Sequence, residues 1–381
     1  MNTIYADYAA ATPVDSRVLA AMQPYFSQQF YNPSATYLAA KQVRQSLESA
    51  RAGVAAVLGA RVSEIIFTAG GTEANNLAIH GLMRAFPGKK VVVSAIEHES
   101  ILSAAHVYDC AEVPVMSDGL LDIAGLERAI GDDTVLVSIM YANNEVGTIQ
   151  PIREIAALVR EVLIARKKAG NTLPLYVHTD AAQAANYLDI HVSRLGVDLM
   201  TLNGGKIYGP KQSGVLWVKT GVHLEPLVYG GGQERGLRSG TENVAGAIGF
   251  STALQIAQTM RADESYRLQQ LQKLCFDLME RQLPDVIVNG SRKKRLPNNV
   301  HITLPGQDNE RVLMLLDEAG IQAAAGSACS ASNEEPSHVL RAMGVARKDA
   351  QASLRFTFGR QTTEADVRTL VDVLAGIAGK S

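Results

Sequence analysis

The stretch Glu64-Ile65-Ile66-Phe67-Thr68-Ala69-Gly70-Gly71-Thr72-Glu73 decides how the rest of the chain reads. A short β-rich run enters two glycines, and a helical pattern begins at once and continues from Thr72 to Phe86. A strand feeding a helix through a glycine turn is the first half of a strand–helix–strand unit. Such a turn aims free backbone N–H groups and the positive end of a helix dipole at one point, which suits a phosphate. The Thr72 hydroxyl adds a donor, and Gly71 lets the backbone approach. The spacing is neither Gly-x-x-x-x-Gly-Lys-Ser/Thr nor Gly-x-Gly-x-x-Gly, so an ordinary strand–helix turn stands as the alternative.

Working outward, the same alternation continues. Val91–Ala95, Thr134–Met140 and Leu175–Thr179 read as buried strands, and Pro151 opens a helix at its first turn between the last two. Val197–Leu202 and Gly214–Lys219 read as two more strands. Buried strands separated by helices predict an α/β fold with a mostly parallel sheet covered on both faces. The pattern changes after about residue 243. A long helix runs toward Leu283, before Pro284. Shorter elements follow at Val286–Asn289, Asn299–Leu304, Glu310–Ala319, Ser353–Phe358 and Glu364–Ile377. These predict a smaller α+β domain. A chain of 381 residues is long for one compact unit. The expected division is a large domain over 16–258 and a small one from 1–15 and 259–381. The Gly-rich stretch Tyr229–Gly240 reads as a loop long enough to carry function. The basic run Arg292–Arg295 reads as a solvated turn.

Composition excludes several classes. With 47% hydrophobic and 19% charged residues the chain fits a soluble globular protein. A formal net charge of -2 lacks the basic face of a general nucleic-acid binder. No run of about 18 apolar residues predicts a membrane span. The start Met1-Asn2-Thr3-Ile4-Tyr5-Ala6-Asp7 has no secretory pattern. Cys110, Cys275 and Cys329 are far apart, which argues against a disulfide framework or a structural zinc site and fits a reducing cytoplasm.

Five further residues invite chemistry. Asp180 ends a predicted strand and precedes the small residues Ala181 and Ala182, then Gln183. Ligands bind at the carboxyl ends of strands in open parallel sheets, and a carboxylate there keeps a pyridine nitrogen protonated. A helix N-cap is the plainer role. Lys206 lies past a buried strand among glycines, in Asn203-Gly204-Gly205-Lys206-Ile207-Tyr208. It is a surface lysine or, desolvated, a Schiff-base lysine. His98, in Glu97-His98-Glu99, also follows a strand; a surface histidine flanked by acids competes with one that stacks on a ring and moves protons. Cys329 sits among small and hydroxyl residues in Gly326-Ser327-Ala328-Cys329-Ser330-Ala331-Ser332, as a mobile-loop nucleophile would. Arg355 falls in a strand pattern, where its fork suits a carboxylate. Cys110 and Cys275 read as structural.

Taken together, these motifs resemble the cysteine desulfurases of the aminotransferase class V group. The likeness runs from Tyr5-Ala6-Asp7 and Asn32-Pro33-Ser34 to the last helix pattern. It is most specific at Gly70–Asn76, at Asn143-Asn144-Glu145-Val146-Gly147, at Lys206–Lys211, at Gly230–Asn243 and at Gly326–Ser332. The resemblance implies the aspartate-aminotransferase-like fold (type I) of enzymes that use pyridoxal 5'-phosphate (PLP). It implies that Lys206 carries the cofactor and Asp180 pairs with its ring nitrogen. Gln183 would contact the ring hydroxyl, His98 would stack on the ring, and Gly71, Thr72 and Asn203 would lie at the phosphate. Thr241 would reach the phosphate of the other subunit in a homodimer. Asn144 and Arg355 would hold the carboxylate of L-cysteine. Cys329 would take the sulfur as a persulfide and pass it to an acceptor protein, while L-alanine leaves.

Two departures stand out. Relatives usually carry a histidine immediately before the lysine and a serine or threonine two residues earlier; here those places hold Gly205 and Asn203. The chain also stops soon after Glu364–Ile377, without the longer tail that helps housekeeping iron–sulfur enzymes dock a scaffold. Iron–sulfur assembly and thiolation thus both remain open as destinations for the sulfur. Selenocysteine lyase or another class V reaction is the alternative within the fold, and a non-catalytic sulfur carrier or scaffold is the alternative outside enzymology. A nucleotide-binding Rossmann protein lacks its glycine spacing.

Overall fold

The computed structural model describes residues 3–326 and 336–379. Twelve strands occur among them: β1 (Ile4–Tyr5), β2 (Ile65–Thr68), β3 (Lys90–Ser94), β4 (Asp109–Val113), β5 (Thr134–Ser138), β6 (Tyr176–Asp180), β7 (Leu199–Asn203), β8 (Gly214–Val218), β9 (Ile287–Val288), β10 (Asn299–Thr303), β11 (Ile321–Gln322) and β12 (Ser353–Thr357). Seven of them form the central sheet in the order β2-β8-β7-β6-β5-β3-β4. Strands β3 to β7 pair in parallel, while β8 is antiparallel to both β7 and β2. Six strands therefore point their carboxyl ends to one edge and only β8 runs back. The cause is local. The return from β7 to β8 spans only Gly204–Ser213, too short for the helical crossover that a parallel neighbour needs. Lys206 sits in that return.

Both faces of the sheet are covered, as the buried runs require. Val92, Val137, Val177 and Met200 pack on one face with Val54, Leu58, Phe250 and Leu254 of two helices. Val91, Val93 and Leu136 pack on the other with Leu77, Leu82 and Ile101. The helix Val244–Gln282 runs from the first of these cores into another. Its residues Leu268, Leu271, Cys275 and Met279 pack with Val300, Ile302, Leu354 and Phe356. There the antiparallel order is β12-β10-β9. The N-terminal β1 pairs in parallel with β11, and Asp7 bridges Thr357. No helix among the described residues is long and apolar enough to cross a membrane.

Three differences from the sequence reading have physical reasons. Strand β4 is an edge strand with mixed exposure, so its sequence Asp-Cys-Ala-Glu-Val lacks a buried-strand pattern. Pro151 is the residue before the helix Ile152–Lys168 rather than inside its first turn. The basic run is only partly solvated. Arg292 is exposed, but Arg295 is buried and donates to Ser291 O, to Asn299 Oδ1 and to Asn289 O. Backbone carbonyls that a local pattern cannot reveal make that burial tolerable.

The loop Tyr229–Gly240 is held by a buried ion pair. Arg51 donates from Nη1 and Nη2 to Glu234 at 2.6 and 2.8 Å, and Phe67 N–H donates to Glu234 Oε2 at 2.9 Å. Glu234 and Arg235 both take left-handed backbone conformations (φ 47° and 59°), which side chains other than glycine rarely adopt. Glu234→Ala removes the buried partner of the Arg51 guanidinium, leaving it Glu48 and Ile65 O, and strands the Phe67 N–H group. It is expected to cost about 3–5 kcal/mol of stability, measured by equilibrium urea unfolding. A cost below about 1 kcal/mol would show that the pair does not hold the loop.

Candidate active site

The cleft lies at the carboxyl edge of the sheet, where each strand end delivers one group. It is lined by Gly71, Thr72, His98, Asn144, Asp180, Gln183, Asn203, Lys206 and Arg355. Nine of the eleven residues that sequence reasoning singled out thus meet in one place. Thr241 is exposed and lines a separate recess with Gln212, Ser213 and Arg238. Cys329 lies outside the described residues.

The phosphate-type turn has the form the sequence predicted. Gly70 sits at φ 136° and ψ 178°, a region only glycine occupies readily, and the helix Gly71–Ala85 starts on the next residue. Strand β8 crosses so closely that a side-chain carbon on Gly214 would meet the Gly70 carbonyl carbon at 2.6 Å. Asn203 Oδ1 accepts from Gly205 N–H at 3.0 Å, and its Nδ2 faces Gly71. The turn therefore combines backbone N–H groups, the Thr72 hydroxyl and an amide donor, all suited to an anion.

Lys206 points into the same cleft. Its Nζ donates to the carbonyls of Ala9 and Ala10 at 2.9 and 2.6 Å, and Gln183 Nε2 donates to Ala9 O at 3.0 Å. These N-terminal carbonyls were not foreseen, because only the fold brings residue 9 to residue 206.

Asp180 is 8% exposed and has no cationic partner among the described residues. Its carboxylate accepts from Ala182 N–H at 2.9 Å and from Asn75 Nδ2 at 2.7 Å. His178, two residues earlier on β6, offers no charge. It lies 2.8 Å from Ser138 Oγ and 3.0 Å from Thr201 Oγ1, and complete burial pushes it down to about 4. Burial likewise pushes Glu97 well above the ordinary carboxylate range despite the Met140 N–H on its Oε1. Asp180 is thus a buried anion whose natural complement is a cationic ring nitrogen. With the anion turn and the lysine, this donor and acceptor set fits PLP.

Arg355 is buried with part of its fork in use. Nη2 pairs with Asp7 Oδ1 at 2.7 Å and Nη1 donates to Asn144 O at 2.9 Å, while Nε is buried without a hydrogen-bond partner. Asp7 was missed because only the pairing of the N-terminal segment with the last strand brings it here. The two sides of segment 327–335 are also placed. A side-chain carbon on Gly326 would lie 3.2 Å from Glu145 Oε2, and Ser337 Oγ donates to the same oxygen at 2.5 Å. His338 Nε2 lies 2.9 Å from Glu97 O. Glu145 and Glu97 adjoin the cleft residues Asn144 and His98.

The aminotransferase class-V family profile matches residues 4–370 of the chain. Cysteine desulfurase IscS of Dictyoglomus turgidum is 40% identical over 99% of this chain and 95% of its own length. A solved structure described as a NifS-like protein is 31% identical with a TM-score of 0.91, covering all of both chains. Another, SspA in complex with cysteine, is 33% identical with a TM-score of 0.81, covering 93% of this chain and 99% of the other.

Proposed function

The chain belongs to the aminotransferase class-V family, and on that premise we propose that it is a PLP-dependent cysteine desulfurase. The observation that carries the reading is the cleft itself. It joins Lys206, a buried Asp180 with no cationic partner among the described residues and an anion turn at a helix start, beside the two ends of the segment that carries Cys329. A relative solved with cysteine supports the substrate.

The resemblance supplies residue roles that the shared cleft supports. Lys206 would hold the cofactor and is the amine placed to move a proton at the substrate carbon. The Gly71–Thr72 turn and Asn203 Nδ2 would hold the phosphate. Asp180 would hold a proton at the ring nitrogen, Gln183 would meet the ring hydroxyl, and His98 would lie against the ring. Bound there, PLP supplies an electron sink for substrate carbon. Asn144 and Arg355 orient the substrate carboxylate. The Cys329 thiolate attacks the substrate sulfur: an S–S bond forms, the C–S bond breaks, and the electron pair left on carbon takes up a proton. L-Cysteine and the thiol become L-alanine and a Cys329 persulfide, with no other oxidant. The persulfide then passes to an acceptor protein, in iron–sulfur assembly or thiolation.

We further propose a homodimer in which the exposed Thr241 reaches the neighbouring subunit's phosphate. The chain would divide into a large domain over 16–258 and a small one from 1–15 and 259–381, in the cytoplasm.

The discriminating variant is Cys329→Ser. It is expected to bind cofactor and cysteine normally and to lose release of alanine. Full alanine release from cysteine in that variant would sink the desulfurase reading.

The departure at Gly205 gives a second test. A side-chain carbon there would stand 3.5 Å from Asn203 Oδ1 and 3.8 Å from Lys211 Cγ, so the backbone position accepts a Cβ at ordinary contact distance. Gly205→His adds a donor next to the phosphate turn. One hydrogen bond contributes about 0.5–1.5 kcal/mol, so PLP is expected to bind about 2–10-fold more tightly. Equal or weaker affinity in a PLP titration would contradict this.

A further inference from the structure

Four side chains that line the cleft, Asp180, Asn75, Ser100 and His98, form one hydrogen-bonded line along its wall. Asn75 Nδ2 donates to Asp180 Oδ2 at 2.7 Å and to Ser100 Oγ at 2.9 Å. Ser100 Oγ lies 2.8 Å from His98 Nδ1, and Ser100 N–H donates to that same nitrogen at 3.1 Å. Asn75 is 1% exposed and Ser100 is 9% exposed, so bulk water does not replace these partners.

The direction follows from what each group can do. A carboxylate only accepts. The amide edge facing Asp180 is therefore the NH2 group; the opposite orientation would set Asn75 Oδ1 against an oxygen anion. Both N–H bonds of Asn75 are then committed, one to Asp180 and one to Ser100. Because the Ser100 backbone N–H donates to His98 Nδ1, that nitrogen is an acceptor, and the Ser100 hydroxyl 2.8 Å away meets it as a donor. The Ser100 backbone N–H can only donate, and it points at the same atom. Nδ1 thus accepts from two donors, and the neutral ring carries its proton on Nε2.

We propose that Asn75 and Ser100 are positioning residues that hold His98 as its Nε2-protonated tautomer in the resting enzyme. His98 then enters the reaction as a proton donor from Nε2. The consequence for turnover rests on the desulfurase reading; the tautomer itself does not. Asn75 lies within the motif Gly70–Asn76, but the sequence alone assigns no role to it or to Ser100.

Nitrogen-15 chemical shifts of holoenzyme labelled at histidine read the tautomer directly, with His98→Gln assigning the signal by difference. The wild type is expected to show an unprotonated Nδ1 and a protonated Nε2 at His98. Asn75→Asp replaces the donor by an acceptor of the same shape and turns the Ser100 hydroxyl around. It is expected to add a population protonated at Nδ1 and to lower kcat about tenfold or more with KM little changed. Ser100→Thr keeps the hydroxyl and is expected to keep the wild-type pattern. A proton on Nδ1 in the wild type would overturn the proposal, as would an unchanged tautomer in folded Asn75→Asp. The wild-type spectrum decides the matter even if Asn75→Asp does not fold. The predicted tautomer in an enzyme that releases no alanine from cysteine would refute the desulfurase reading alone.

Discussion

Lys206→Ala is expected to leave a folded protein that retains no visible cofactor colour after desalting and forms no measurable alanine. The lysine has two tasks, and both vanish together. In the proposed role its amine is the covalent attachment point and also carries the Cα proton. Proton transfer by a positioned side chain alone is worth about 10²–10⁴-fold, so the combined loss is expected to exceed about 10³-fold. The structural cost is small by comparison. The variant removes the Nζ bonds to Ala9 O and Ala10 O, and those carbonyls border a cleft that water can enter. Absorbance after desalting, with thermal unfolding as the folding control, checks this. Retained colour in Lys206→Ala would mean that another amine holds the cofactor.

Asp180→Ala has the second-largest expected effect. Asp180 is a buried carboxylate with neutral donors on both oxygens, and burial pushes the nearby His178 down to about 4. In the proposed role the Asp180 charge keeps a proton on the ring nitrogen when negative charge develops during the reaction. Preorganised electrostatic groups of this kind are worth about 10²–10³ in kcat. Asp180→Ala is therefore expected to lose about that much turnover while phosphate-turn contacts retain part of the cofactor affinity. Steady-state kinetics on cofactor-saturated protein checks it. A kcat within about threefold of wild type would remove Asp180 from its proposed role.

Much of this site was legible in the sequence because its groups follow strand ends. A buried apolar run followed by glycine or by small residues marks a carboxyl edge, and Gly70–Thr72, Asp180 and Lys206 all carry that mark. His98 and Asn144 needed the motif around them. What stayed hidden depends on distant chain segments. Ala9, Ala10 and Asp7 enter because β1 pairs with β11, more than 300 residues away in sequence. Asn75 and Ser100 serve through partners 105 and 25 residues distant. Arg295 reads as a solvated charge because the acceptors that satisfy it include backbone oxygens. Local periodicity reports which face of an element is apolar. It does not report which polar groups a tertiary contact will pair.

The most direct test of the account is the mass of the peptide bearing Cys329 after holoenzyme meets L-cysteine, with alanine measured in the same sample. The account predicts that Cys329 gains one sulfur atom and that one alanine forms for each persulfide in the first turnover. Alanine release with Cys329 unmodified, or sulfur carried on Cys110 or Cys275 instead, would contradict it.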